Sequence, residues 1–295
     1  MQMGRVGLWT FQLDLQPASA VREAVAELEE LEYSAIWLPE AVGREPFVNS
    51  ALLLGATQRM VVATGIASVW GRDAMTMAAG HLSLNEAFGD RFLLGLGVSH
   101  QPMVDYVRGH TYDKPLTKMR EYLEAMDKVI YMAPRPAEEP RRVLAALGPK
   151  MLELAAAQAL GAHPYFVPVE HTAFAREVLG DGPMLCPEQA VVLSTDADQA
   201  RAAARLHMAT YLTLPNYTNN LRRLGWDDHD LSDGGSDALV DAIVAWGDEE
   251  AISGRVRAHL DAGADHVCVQ VLRPDDATAL PMEEWRALAE PLRSL

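Results

Sequence analysis

The sequence predicts an α/β fold: a single (β/α)8 barrel of the TIM type, one domain over residues 1–295, with a helical segment inserted between the seventh and eighth strands. Two observations lead there. Short apolar runs alternate with amphipathic stretches, and that alternation calls for right-handed βαβ crossovers and a parallel sheet. The count then reaches eight strands within 295 residues, which favours a closed barrel of ordinary length over an open, doubly wound sheet.

The first strand, 5–10, leads through a loop with Pro17 into a helix over 18–32, where Val21, Val25, Leu28 and Leu31 keep helical spacing. Strand 35–40 follows, then a loop and a helix over 51–58. Residues 61–66 are β-branched and bounded by turn residues, so they read as the third strand, and a helix over 73–87 comes next. The fourth strand lies in 90–100, Asp-Arg-Phe-Leu-Leu-Gly-Leu-Gly-Val-Ser-His. Its alternation puts Gly95 and Gly97 on one face, which either admits a flat molecule to the backbone or packs against a neighbouring element. After a loop with His110 and Tyr112, a helix is expected over 116–131 and a Pro-rich linker over 134–140. Strand 142–147 ends at Gly148-Pro149, which opens another helix. Strand 162–167 contains Pro164, which costs a ladder donor; helix 170–180 ends on Gly180, and strand 190–194 is the seventh. A helix to Tyr211 and three further helical stretches, 216–224, 237–246 and 248–262, precede the eighth strand, 266–272, and a last helix, 282–292.

Composition narrows the function. Twenty-five Lys plus Arg face 41 Asp plus Glu, a net charge of -16, and no basic stripe offsets it, so a nucleic-acid partner is not expected. Two cysteines, Cys186 and Cys268, form neither a zinc spacing nor a disulfide framework, and both are expected to be buried thiols. The chain shows no secretion signal at its start and no apolar run of about 18 residues, so no membrane partner is expected and the expected location is cytoplasmic.

In such a barrel the C-terminal strand ends form the active face. Here they offer Trp9-Thr10, Glu40, Thr64 to Ile66, Val98 to His100, Leu147-Gly148, Tyr165-Phe166, Ser194 and Gln270. Glu40 is the one confident acid, so the paired carboxylates of glycosidases and a metal-ligand cluster are both lacking; no metal is expected. Gly97-Val-Ser-His-Gln101 starts like a nucleophile elbow, but Gln101 stands where the second glycine belongs, and His100 stands at the third glycine of a dinucleotide fingerprint. Gly148-Pro149 presents free backbone N–H groups that favour an anion, with Lys150 able to add charge; the same residues also simply start a helix well. His163 and His171 read as surface or packing residues, since neither has a partner at metal-ligand spacing.

Tyr33-x-Ala-Ile-Trp-Leu-Pro-Glu40, Ala63-Thr-Gly-Ile66, Arg91-Phe-Leu-Leu-Gly-Leu-Gly-Val98, Ala145-Ala-Leu-Gly-Pro149 and Gly263-Ala-Asp-His-Val-Cys-Val-Gln270 together resemble the luciferase-like monooxygenase superfamily along nearly the whole chain. Within it the chain resembles the branch that uses the deazaflavin coenzyme F420 more than the branch that uses reduced FMN. The resemblance implies a bulge with a non-prolyl cis peptide at Gly65-Ile66, next to Thr64, supporting one face of the coenzyme ring. It also implies coenzyme contacts from Gly97, Val98 and Ser99, from Ala146, Gly148 and Pro149, and from Tyr165 and Phe166, the last two falling where relatives carry small hydroxyl residues. Ala41 replaces the histidine, and His100 the glutamate, of the glucose-6-phosphate-oxidising relatives, so that reaction is not expected here.

The expected activity is hydride transfer between F420 and a small organic substrate in the barrel mouth. His100 is the first candidate for the catalytic proton donor or acceptor and Glu40 the second, while Trp9, Trp70 and Tyr112 form apolar walls. Two alternatives stand beside it: a reduced-FMN-dependent monooxygenase and a non-catalytic flavin-binding protein. Resemblance further implies a homodimer through the helices near the second and third strands.

Overall fold

The computed structural model describes residues 3–295. Its strands are β1 (Val6–Trp9), β2 (Ala35–Leu38), β3 (Val61–Thr64), β4 (Ala67–Ser68), β5 (Phe92–Gly97), β6 (Arg142–Leu144), β7 (Gly161–Ala162), β8 (Met184–Leu185), β9 (Glu188–Leu193), β10 (Val244–Gly247) and β11 (Val267–Val271). Every pairing is parallel, in the order β10-β9-β11-β1-β2-β3-β5-β6-β7-β8. The ring closes because β8 runs through Cys186 and Pro187 into β9. Cys186 N donates to Ala162 O (2.8 Å) and Glu188 N to Pro164 O (2.9 Å) on one side, while Cys268 N donates to Pro187 O (2.9 Å) on the other. Counting β8 with β9 as one stave and leaving β4 and β10 aside gives the predicted eight.

The helices are α1 (Ala18–Glu30), α2 (Pro46–Leu54), α3 (Ala74–Ala87), α4 (Pro115–Asp127), α5 (Pro149–Gln158), α6 (Val169–Leu179), α7 (Ala197–Tyr211), α8 (Pro215–Arg223), α9 (Asp228–Leu231), α10 (Asp237–Ile243), α11 (Glu249–Asp261) and α12 (Met282–Arg293). They clothe the barrel with amphipathic faces: α1 buries Val21, Ala24, Val25 and Leu28 against it. Aspartates start several of them, as where Asp73 accepts from Thr76 N at the head of α3 (2.9 Å) and Asp248 from Ala251 N at the head of α11 (2.9 Å).

Several sequence-based expectations need correction. The stretch 237–246 is not one helix: α10 ends at Ile243, and β10 pairs with the C-terminal half of β9, Val244 opposite Ala190 and Gly247 opposite Leu193. An unbroken apolar run fits helix and strand alike by periodicity; here the partner edge decided, because β7 stops at Ala162 and leaves that flank of β9 unpaired. The sixth stave is shorter than 162–167 and starts one residue earlier, and the seventh begins at Met184 instead of 190. Helix α2 starts at Pro46, its first turn capped by Glu45 accepting from Val48 N (2.7 Å), ahead of the expected 51. Helix α4 stops at Asp127, short of 131, and the loop before it holds a π-helical turn over Met103–Val107.

The glycine face of β5 settles as close packing. A Cβ on Gly95 would stand 1.9 Å from Thr64 O, and one on Gly97 would stand 2.4 Å from the Ile66 side chain. Both glycines therefore let the segment after β3 lie against β5, and Ile66 carries the surface outward. Below the mouth the barrel interior is aromatic and polar at once. Fully buried Trp37 stacks on His163 (4.4 Å, 19°) and donates from Nε1 to His266 Nε2 (3.1 Å). Cys186 and Cys268 are buried, free thiols in the same cluster, as expected.

Candidate active site

The C-terminal strand ends enclose a cavity of about 400 Å³. Its back is built first by the chain after β3: the Gly65–Ile66 peptide is cis, and Trp9 Nε1 donates to Gly65 O (3.0 Å). Thr64 lies one step behind, its hydroxyl donating to Gly95 O (2.8 Å) and accepting from Gly95 N (2.9 Å), so it ties β3 to β5 and does not line the cavity. Gly65, Ile66, Gly97, Val98 and Ser99 do line it, with Ser99 at φ 58°. Trp70 Nε1 donates to Val98 O (2.9 Å) and holds that turn.

Glu40 reaches the cavity, but both of its oxygens are engaged. One accepts from Arg72 (2.9 Å) and from Ser68 N (2.8 Å), the other from Arg108 (2.7 Å), and its side chain is only 6% exposed. Arg72 also pairs with Glu45 (2.8 Å), so two carboxylates and two guanidiniums balance. A carboxylate held this way fixes the loop carrying Arg108 to the end of β2, with three of its four lone pairs engaged and one remaining on the oxygen that meets Arg108.

His100 lines the opposite wall. Its Nε2 lies 3.2 Å from the Tyr217 hydroxyl of α8, and burial pushes its pKa down, so the ring is neutral near pH 7. Tyr165 donates to Gln270 Oε1 (2.8 Å) and meets the Tyr211 hydroxyl at 2.9 Å, and all three tyrosines border the cavity. Phe166, at φ 59°, turns away from the cavity into the aromatic cluster with Tyr211 (5.0 Å) and Tyr217 (5.3 Å). Its N–H donates to Glu188 (3.1 Å), whose carboxyl burial pushes up to about 8.

The far end belongs to α5. Ala146 and Gly148 line the cavity there, and Pro149, the first helical residue, does not. Gly148 heads the helix with no side-chain cap. Arg223 of α8 stands above it, 3.6 Å from where a Gly148 Cβ would be, and is braced by Asn220 (2.8 Å). A ten-residue helix with an uncapped N-terminus and a guanidinium over it suits an anion.

His163 and His171 are both buried, not on the surface. His171 bonds Leu147 O (2.9 Å) at the α5 entry, while His163 donates from Nδ1 to Cys186 O (2.7 Å) and borders the cavity back. The sequence assigns the pocket wall to the loops after the fourth strand and to the inserted helices over 216–246, and Asn216, Tyr217 and Arg223 do line the cavity, although the sequence singles out no individual residue of that segment. Sequence reasoning missed His163, Met151 and Tyr211 as cavity residues; Tyr211 sits at the end of α7 with no local motif, and only the folding of the insertion over the mouth brings it in. Among the described residues no group of three or more His, Cys, Asp or Glu could hold a metal ion, and no helix is long and apolar enough to cross a membrane.

The profile of a family described as luciferase-like monooxygenase matches residues 1–266. A Mycobacterium tuberculosis protein whose name places it among coenzyme F420-dependent oxidoreductases is 26% identical over 255 residues, covering 72% of each chain. The 5,10-methylenetetrahydromethanopterin reductase of Methanolobus tindarius is 25% identical over 304 residues, covering 88% of this chain and 93% of that one. An F420-dependent secondary alcohol dehydrogenase solved with an F420-acetone adduct superposes with a TM-score of 0.77 at 13% identity, over 99% of this chain and 100% of that one.

Proposed function

We propose that this chain, which belongs to the luciferase-like monooxygenase family, is an oxidoreductase that passes a hydride between the deazaflavin coenzyme F420 and a small organic substrate held in the barrel mouth. The observation that carries this reading is the division of the cavity. It has a back at Gly65–Ile66 with the neutral imidazole of His163 beside it, an anion end at Gly148 and Arg223, and the neutral imidazole of His100 on the wall between them. A planar ring with a phosphate-bearing tail fits that division, and the names of the Mycobacterium tuberculosis relative and of the secondary alcohol dehydrogenase support the deazaflavin.

A bound deazaflavin supplies a two-electron hydride carrier that does not readily activate oxygen. The chain's own residues then have three tasks. Ile66, with Val98 and Ala146, offers an apolar shelf for the ring. The α5 N-terminus and Arg223 hold the tail phosphate. His100 gives or takes the proton that accompanies the hydride, since it is a titratable group at the cavity with one ring nitrogen still free. Glu40 positions the Arg108 loop in this reading, because three of its four lone pairs already accept from Ser68 N, Arg72 and Arg108. Tyr165 remains in the wall and Phe166, Thr64 and Pro149 act from behind it.

A homodimer through α2 and α3 belongs to the same reading, supported by exposed Val48 (62%) and Met75 (63%) on those helices. So does one domain over the whole chain in a cytoplasmic location. The deciding experiment is fluorescence titration of the purified protein with F420 and, separately, with FMN. Tighter binding of F420 is expected; preference for FMN together with oxygen consumption in its reduced form would replace the proposal by a flavin monooxygenase, and binding of either without redox turnover by a carrier protein.

A further inference from the structure

We propose that Tyr217 of the inserted helix α8 is a positioning residue that holds His100 as its Nδ1–H tautomer, so that the cavity presents a neutral hydrogen-bond donor fitted to the carbonyl-type oxygen of an uncharged substrate. The inference rests on the oxidoreductase reading for its catalytic meaning, and on geometry for the tautomer.

The 3.2 Å contact between His100 Nε2 and the Tyr217 hydroxyl can run either way, and the surroundings decide it. Among the described residues the Tyr217 hydroxyl has no hydrogen-bond partner except Nε2, so a phenol proton not given to the imidazole would be left buried and unpaired. Tyr217 is buried at 6% exposure, and burial raises its pKa well above the ordinary 10, so that proton stays on the oxygen. His100 is pushed the other way by burial and is neutral near pH 7, so it has one nitrogen lone pair to accept with. The O–H therefore points at Nε2 and the ring proton sits on Nδ1. Among the described residues Nδ1 has no protein partner, which leaves it for a ligand.

Charge selects the ligand class. Of the Asp, Glu, Lys and Arg side chains, only Glu40 and Arg223 line the cavity among the described residues. Glu40 is neutralised within its own ion-pair group. Arg223 lies six residues beyond Tyr217, about 9 Å along α8, over Gly148. No unpaired cation therefore stands beside His100 to receive a carboxylate, and burying one there would be costly. The walls nearby, Met103, Pro115 and Met151 with the tyrosine rings, are apolar. Ser99 and Asn216, the polar side chains that flank His100 and Tyr217 in sequence and line the cavity, are uncharged, so neutral donors in a largely apolar wall match an acceptor oxygen on an uncharged molecule.

The test is nitrogen-15 NMR of the full chain labelled at histidine, without coenzyme, with the His100 signals assigned by their loss in His100→Gln. In the wild type the expected result is a protonated Nδ1 and an unprotonated, hydrogen-bonded Nε2, and in Tyr217→Phe a shift towards the other tautomer. A protonated Nε2 in the wild type overturns the proposal without any variant having to fold, and so does an unchanged tautomer in a folded Tyr217→Phe. Acetophenone and benzoate are then titrated against the F420-loaded protein. Acetophenone should move the His100 Nδ1 signal, with about ten-fold weaker binding in Tyr217→Phe. Benzoate moving it at equal or lower concentration overturns the neutral-substrate assignment. Failure of F420 to bind the wild type would instead break the coenzyme reading and leave the tautomer result standing.

Discussion

The two walls of the barrel mouth satisfy their polar groups in opposite ways. On the side of β2 and β4, Glu40, Arg72, Arg108 and Glu45 pair with one another, and Ser68 N adds a further hydrogen bond to Glu40, so charge is abundant but compensated. On the side of β5, β7 and the insertion, His100, Tyr165, Tyr211 and Tyr217 carry no charge and are joined by neutral hydrogen bonds, with one ring nitrogen of His100 left over. The difference teaches where to look for chemistry: a charge-rich cluster whose ions are paired with one another gives rigidity, whereas the plainer wall retains the group that can still exchange a proton.

The largest expected effect tests the neutral wall. His100→Asn should lower kcat by about 100-fold or more while the F420 dissociation constant changes little, as expected for lost general acid–base assistance. Equal losses in turnover and coenzyme affinity would reduce His100 to a packing residue. The charged wall is probed by Glu40→Gln, which leaves two guanidiniums facing each other with the carboxylate gone; denaturant unfolding should show about 3 kcal/mol lost. Should stability hold while turnover collapses, the roles of the two walls would be exchanged.

A smaller effect comes from Glu188 beneath the tyrosines. Its carboxyl, raised to about 8, is protonated in the folded chain at pH 7 but ionised in the unfolded chain, so between about 4.5 and 8 folding takes up a proton and stability falls as pH rises. Glu188→Gln should thus gain about 3 kcal/mol at pH 7 and nothing at pH 4, read from denaturant midpoints across that range. A pH-independent difference would mean that the carboxyl is ionised and paired in the fold. Least of all, Arg223→Ala should weaken F420 about ten-fold yet leave the phosphate-free deazariboflavin analogue unaffected. Equal weakening of both would place Arg223 against the ring and not the tail.

Each wall was half visible in the sequence: Glu40 on the charged side, His100 and Tyr165 on the neutral one. Glu40 stood out because a carboxylate closing an apolar strand is conspicuous, but Arg72 and Arg108 lie 32 and 68 residues further along and only the folded loops bring them to it. His100 was legible as the polar end of the most apolar strand. Tyr217 was not, since an aromatic residue in a helix reads as core, and its hydroxyl meets His100 across 117 residues. The staves themselves were clear wherever β-branched runs were bounded by turns, and blurred where Pro164 shortened β7 or where Ile243-Val244 suited helix and strand equally. Gly95 and Gly97 announced a close approach but not its partner, which proved to be the chain's own Thr64 and Ile66.

The strand β10 gives the insertion the character of an exchangeable cassette. The chain leaves the sheet at Leu193 and re-enters at Val244 opposite Ala190, three residues back along β9, so the two ends lie about 11 Å apart on one hydrogen-bonded frame. The segment between them contributes Tyr211, Tyr217 and Arg223 to the cavity, while Gly65, Ile66 and the closure of the barrel come from elsewhere. Since closing a loop over so short a gap costs little more for a long segment than for a short one, this span can be trimmed, lengthened or transplanted with the staves left in register. Selection acting on substrate choice would find its freest ground there, on a module that can be rewritten apart from the shelf it covers.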